Sequence, residues 1–225
     1  PAVKMKADLV YLIADENIAT DKSTKFQTEI IKQLKKKKID SKIVYANRLQ
    51  LFDIIRVVKE IILDHRDDDF YVNVASGSKI HAIGCMMACM LFDNRKKIHP
   101  FYPQAKEYPA YKDNEQQTYG VEEIYELPSY QLLTPNNDLI EILKIIKEND
   151  GRIQKKKLAE IAEERKILNI NAREENHSQA RFASLDKKLI RPLMHTWNFI
   201  EEEKIGKNRW ISFTNDGKNA SEFLF

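Results

Sequence analysis

Residues 70–92 constrain this chain more than any other stretch. Phe70–Val74 is β-branched and aromatic, and short enough for a buried strand. Ser76-Gly77-Ser78 breaks that strand. Ile80–Phe92 then reads as a helix that is apolar nearly all round, so a buried one. A small-residue turn therefore joins a buried strand to a buried helix. The turn's backbone N–H groups, with the helix dipole behind them, suit a phosphate or similar anion. Lys79 places a cation in the first helical turn, where the dipole disfavours one. An anionic ligand explains that cation better than helix stability does. The plainer alternative is a strand–helix turn with a solvated lysine.

Strand and helix patterns alternate around this stretch. Ala7–Ala14 is a near-continuous apolar run and reads as a central strand. Asp15–Lys22 is a polar, ligand-facing loop at its carboxyl end. Ser23 or Thr24 can cap the next helix, with Phe26, Ile30, Ile31 and Leu34 as its apolar stripe. Lys35–Lys38 suits that helix's carboxyl end and a solvated surface. Ser41–Ala46 alternates like a strand, and Leu49–Leu63 carries apolar residues at helical spacing. Asp64–Asp69 lacks the spacing and glycine of a calcium loop and reads as a solvated connection. Lys97–Tyr102, ending at Pro103, is a fourth strand and Glu122–Leu127 a fifth. This alternation implies an α/β, Rossmann-like parallel sheet with helices on both faces. Ligands of such sheets bind beyond the carboxyl ends of the strands, where residues 15–20 and 76–79 both fall. No G-x-G-x-x-G follows any strand, so this is not a dinucleotide fingerprint.

The pattern changes at Thr134–Asp138, T-P-N-N-D, where Asn136 or Asn137 can cap a helix. The expected domains are residues 1–133, a ligand-sensing domain, and residues 134–225. The second carries helices at Leu139–Glu148 and Lys155–Lys166. A third pattern, Ser178–Phe199, is interrupted at Pro192. A basic hairpin follows at Ile205–Thr214 and a short helix at Asn219–Phe225. Three helices and a basic hairpin make an α+β winged helix-turn-helix. Its third helix enters the major groove and its hairpin reaches a neighbouring phosphate strand or the minor groove. The candidate contacts to double-stranded DNA are Gln179, Arg181, Lys187, Lys188 and Arg191 on the helix, with Lys207, Asn208 and Arg209 in the wing. Arg and Lys suit phosphates, while Gln179 or Arg181 suits base edges. The alternative is a winged helix used for protein contact, since Glu201–Glu203 adjoins the wing.

Thirty-seven basic against 34 acidic residues give a net charge of +3, which permits nucleic-acid contact without requiring it. Two cysteines make no disulfide framework, and no apolar run reaches the length of a membrane span. Pro1–Lys6 carries lysines but leads straight into a strand, unlike a signal peptide. The expectation is a cytoplasmic protein without membrane contact. His81, Cys85 and Cys89 recur every fourth residue, but consecutive turns splay them along an apolar axis, so they read as core and not as zinc ligands. Trp197 and Trp210 read as core of the second domain. Arg95 with His99, Arg173 with His177 and Arg191 with His195 are one residue too tight for an R-x4-6-H ribonuclease motif. No hydrolase or P-loop signature appears, so no cofactor, metal or catalytic residue is assigned.

Val72–Met90, V-N-V-A-S-G-S-K-I-H-A-I-G-C-M-M-A-C-M, together with Pro100–Tyr108, P-F-Y-P-Q-A-K-E-Y, resembles the CRISPR-associated Rossmann-fold (CARF) proteins. Across nearly the whole chain the similarity is to archaeal CARF–winged-helix transcriptional regulators of the DUF6293 type. The wider class often has two adjacent glycines in the turn; here Ser78 follows Gly77. The resemblance implies a homodimer with two copies of the turn around a two-fold axis. It also implies a nucleotide-type effector there, a cyclic oligoadenylate, with Ser76, Gly77, Ser78 and Lys79 on its phosphates. Asp15, Glu16 and Asn17 would meet base or ribose. The implied function is a ligand-responsive DNA-binding transcriptional regulator. The alternatives are a ring nuclease that cleaves the same ligand and a CRISPR-associated protein adaptor.

Overall fold

The computed structural model describes residues 1–17, 23–65, 67–92, 97–108, 118–171 and 173–225. Two compact units result, Pro1–Leu132 and Leu133–Phe225.

The first unit runs β1 (Leu9–Asp15), α1 (Thr24–Lys36), β2 (Asp40–Ala46), α2 (Leu51–Asp64), β3 (Phe70–Asn73), α3 (Lys79–Phe92), β4 (Ile98–Gln104) and β5 (Glu123–Glu126). β1 pairs with β2 and β3 with β4, both parallel. β5 pairs antiparallel with β4, and the Glu107–Tyr119 bridge continues that ladder. Periodicity marks a strand but not its direction, so the expected parallel fifth strand is in fact a returning edge. A parallel partner would need a crossover, whereas an antiparallel one follows from turning back.

α2 buries Ile54, Ile55, Val57, Val58 and Ile62. It meets α3 closely, because a Cβ at Gly84 would stand 2.8 Å from the Ile54 side chain. α3 buries His81, Gly84, Cys85, Ala88, Cys89 and Leu91, but Ile80 and Ile83 are exposed. The helix is thus apolar all round but buried on one side. In α1, Leu34 is buried while Phe26 and Ile30 are exposed, so the expected stripe is only partly inward. The Ser23 hydroxyl accepts from the Gln27 side chain at 2.8 Å and caps no backbone N–H.

The second unit runs α4 (Asn137–Glu148), β6 (Arg152–Gln154), α5 (Lys155–Glu164), α6 (Glu174–Leu185), β7 (Ile200–Ile205), β8 (Asn208–Phe213) and α7 (Asn215–Leu224). The Asn136 side chain caps α4, accepting from the Leu139 N–H at 3.0 Å. The three strands form an antiparallel sheet in the order β6–β8–β7. The core gathers Ile142, Leu143, Ile146, Leu158, Leu185, Leu193 and Ile211, all fully buried.

Pro192 does not stop the third helix. Helical structure continues beyond α6 in two π-helical turns, Asp186–Ile190 and Pro192–Thr196. Their marks are bonds from Arg191 N–H to the Asp186 carbonyl and from Trp197 N–H to the Pro192 carbonyl. The wider turn accommodates a proline that lacks an N–H and would crowd the preceding carbonyl of a regular helix. Trp197 and Trp210 are half-buried. Trp197 packs on the core, and Trp210 lies under Arg152 at 5.1 Å.

Candidate ligand rim and nucleic-acid interface

The rim is organised by a residue that spacing arguments do not single out. Arg48, between β2 and α2, holds Asp15 through its Nε at 2.9 Å. The Arg48 carbonyl accepts from the Ser78 hydroxyl at 3.4 Å. Asp15, at the carboxyl end of β1, is thereby tied to the turn ahead of α3. Asp15 Oδ1 also accepts from the Asn17 N–H at 2.9 Å, which closes the start of the loop. Glu16 and Asn17 are exposed; residues 18–22 of the expected ligand loop lie outside the described residues. A small cavity of about 140 Å³ opens between Asp15, Thr24, Gln27, Thr28 and Tyr45. Nothing in the sequence distinguishes Arg48 except a lone cation just past a strand end.

The turn is built from side chains that bond back to it. Asn73 Oδ1 accepts from the Ala75 N–H at 2.9 Å, and Asn73 Nδ2 donates to Ser76 Oγ at 2.8 Å. Ser78 Oγ accepts from the His81 N–H at 3.1 Å, which makes Ser78 the cap of α3. His81 Nδ1 lies 3.1 Å from the Ser76 carbonyl. A carbonyl only accepts, so Nδ1 carries the proton and Nε2 faces Cys85 Sγ at 3.8 Å as acceptor. Burial holds His81 below its ordinary 6.5; the Ser76 hydrogen bond opposes this and the Arg48 charge adds to it. Burial alone pushes the Cys85 thiol up to about 12. Gly77 has φ +82°, and a Cβ there would stand 2.4 Å from His81 Nδ1. The glycine is required twice, by backbone conformation and by the imidazole behind it.

Among the described residues, no acceptor meets the backbone N–H groups of residues 76–80. Ser76, Gly77 and Lys79 are exposed and Ser78 is half-buried. No described carboxylate engages Lys79. The result is an arc of open donors at a helix N-terminus with two cations nearby, an arrangement that attracts anions. Cys85 and Cys89 are buried and form no disulfide, and the described residues hold no metal-binding cluster. No described helix is long and apolar enough to cross a membrane.

In the second unit the candidate DNA contacts divide into two groups. Gln179, Lys187, Lys188 and Arg191 are exposed along the third helix, and Lys207 and Asn208 are exposed at the wing tip. Arg181 is half-buried and pairs with Glu163 at 3.0 Å, bracing α6 against α5. Arg209 is exposed but bonds Glu202 at 2.8 Å. Helical spacing places a side chain on a face without revealing which carboxylate stands opposite, so by spacing alone Arg181 is as available as its neighbours.

Comparison with known proteins finds a separate match for each end of the chain. Residues 1–108 match a family model described as HFX_2341_N-like, N-terminal, and residues 138–224 match the DUF6293 C-terminal winged helix domain. The protein MJ1513 of Methanocaldococcus jannaschii is 25% identical over 210 residues, or 83% of this chain. The chain spans 63% of that relative's length. Can2 from Sulfobacillus thermosulfidooxidans, solved with cyclic tetra-adenylate, overlays 99% of this chain and 58% of its own. Its 15% identity and TM-score of 0.39 are too loose to carry an argument. The chain thus joins an HFX_2341_N-like N-terminal domain, built on parallel strand pairs, to a DUF6293 C-terminal winged helix domain.

Proposed function

We propose that the protein is a ligand-responsive DNA-binding regulator. Its first domain takes an anionic nucleotide, a cyclic oligoadenylate or a relative, on the Ser76–Lys79 turn, and its winged helix domain reads out that state on DNA. The observation that carries this reading is the arc of open N–H donors at residues 76–80, flanked by Lys79 and Arg48. Ser76, Gly77, Ser78 and Lys79 hold phosphate oxygens. The Asp15 and Glu16 carboxylates repel phosphate but suit ribose hydroxyls or an exocyclic amine, and the neutral Asn17 amide can meet the same groups.

A ring-shaped ligand calls for two copies of the turn. Ile80 and Ile83 stay exposed on α3 next to the turn, an apolar strip suited to a second copy of this chain. In the homodimer one ligand spans the two-fold axis. Lys187, Lys188, Arg191, Lys207 and Arg209 then meet phosphates, and Asn208 supports the wing. Gln179 is left to read base edges, because Arg181, unlike the exposed Arg209, is half-buried as well as paired with Glu163. The ligand changes DNA affinity to the extent that it prefers one arrangement of the paired winged helices.

A gel shift with the gene's own upstream DNA at low salt tests this, with and without cyclic tetra-adenylate. A shifted band that strengthens or weakens with the ring is expected. No band under either condition would defeat the DNA claim. Recovering the labelled ring intact by chromatography separates this sensor from a ring nuclease.

A further inference from the structure

Lys155 is a lysine at 6% exposure, a rare place for an ammonium group. It opens α5, where the helix dipole disfavours a cation, so helix stability does not explain it. Its Nζ lies 2.5 Å from Asp186 Oδ1 and 3.2 Å from both carboxylate oxygens of Glu202. Asp186 begins the π-helical part of the third helix, and Glu202 lies on β7, the first strand of the wing. Arg209 on β8 closes the set by bonding Glu202 at 2.8 Å. One buried ammonium thus ties the third helix to the first strand of the hairpin, and Arg209 links the second strand to the same carboxylate. Glu202 lies opposite Ile211, and Lys204 opposite Arg209. Ile211 is fully buried, so Lys204 and Arg209 extend the core-facing side of the wing toward its tip.

We propose that Lys155 is a positioning residue for DNA binding: by neutralising one carboxylate from the recognition helix and one from the wing, it fixes the two in register. Lys187, Lys188 and Arg191 on one side and Lys204, Lys207 and Arg209 on the other then meet a duplex as one rigid surface. This rests on the DNA reading of the winged helix domain. Buried ion pairs contribute little net stability against apolar replacements, and their best-attested use is to set register. Without the ammonium, Asp186 and Glu202 repel each other, and the hairpin loses its anchor to the helix.

The test uses the full chain carrying Lys155→Met, Asp186→Asn and Glu202→Gln together. Lys155→Met alone strands two carboxylates and can unfold the domain; the triple variant neutralises all three groups at similar shape. It removes one positive and two negative charges, so it is one charge more positive than the parent. A charge-only view predicts tighter binding to a 20-base-pair duplex by fluorescence anisotropy. The proposal predicts weaker binding and a shallower salt dependence, with the log–log slope smaller by about 0.9 for each phosphate that the wing no longer reaches. Lys207→Ala should reduce the slope by about 0.9 in the parent and leave it unchanged in the triple variant. A triple variant that keeps the parent slope, and still responds to Lys207→Ala, overturns the proposal. If the parent binds no duplex at low salt, the DNA reading itself falls. Amide exchange without DNA then decides the anchor alone: faster exchange across residues 200–213 in the triple variant upholds it, and unchanged exchange overturns it.

Discussion

Gly77→Ala is the most informative single change at the rim. The residue sits at φ +82°, where an L side chain costs about 1–2 kcal/mol. The new Cβ would also stand 2.4 Å from His81 Nδ1. His81 is 8% exposed and held by the Ser76 carbonyl, so it has little freedom to withdraw, and overpacking of this kind costs about 1–3 kcal/mol. The sum is about 2–5 kcal/mol, less the ~0.4–1 kcal/mol that alanine contributes by stiffening the unfolded chain. In a His81→Ala background most of the steric part disappears, leaving the Cβ of residue 81 at 3.2 Å and the backbone part. The two substitutions should therefore couple by about 1–3 kcal/mol, well outside the ~0.3–0.5 kcal/mol scatter of independent sites. Urea unfolding of the full chain measures this by far-UV circular dichroism. Both tryptophans, Trp197 and Trp210, lie in the second unit, so their fluorescence follows that unit separately and should not move. Additive costs, or a Gly77→Ala variant as stable as the parent, would refute the packing of imidazole against glycine.

Lys79→Ala should weaken cyclic tetra-adenylate binding in calorimetry without altering the thermal melt, since Lys79 is exposed; equal affinities would remove Lys79 from the site. The two units should lose stability in different pH windows. His81 is held below 6.5, so the unfolded chain binds its proton more readily, and the first unit weakens as pH falls below 6.5. Glu202 is raised by burial but lowered more by hydrogen bonds and charge from Arg209 and Lys155, ending below 4.5. Its contribution is present above 4.5 and lost as pH falls through its lower folded value, so tryptophan fluorescence should report second-unit weakening only there. Cys85 and Cys89 are buried, and with Cys85 pushed up to about 12, a thiol reagent at pH 8 should label neither in the native protein and both in denaturant.

What can be read from the sequence follows from what periodicity encodes. β1 and α3 declare themselves through apolar runs, and Asn136 through the cap chemistry of T-P-N-N-D. The antiparallel direction of β5 does not, because an edge strand has the same alternation in either sense. β6 is three residues long, too short for any period to register. Pro192 suggests a break, but the π-helical turns absorb it. At the candidate site, Ser76–Lys79 is legible from small residues between strand and helix. Arg48, His81 and Lys155 are not. Their importance comes from partners 33, 5 and 31 residues away, Asp15, Ser76 and Asp186, and sequence spacing carries no information about such meetings.

Reciprocal linkage tests whether the proposed anion site on the Ser76–Lys79 turn is coupled to the winged helix domain. Calorimetry of cyclic tetra-adenylate binding to the protein, alone and saturated with its upstream duplex, measures it. Coupling requires the ring's affinity to change with DNA by the same factor, in the same direction, as DNA affinity changes with the ring, typically about 5–150-fold. Identical ring affinity with and without DNA would contradict the account.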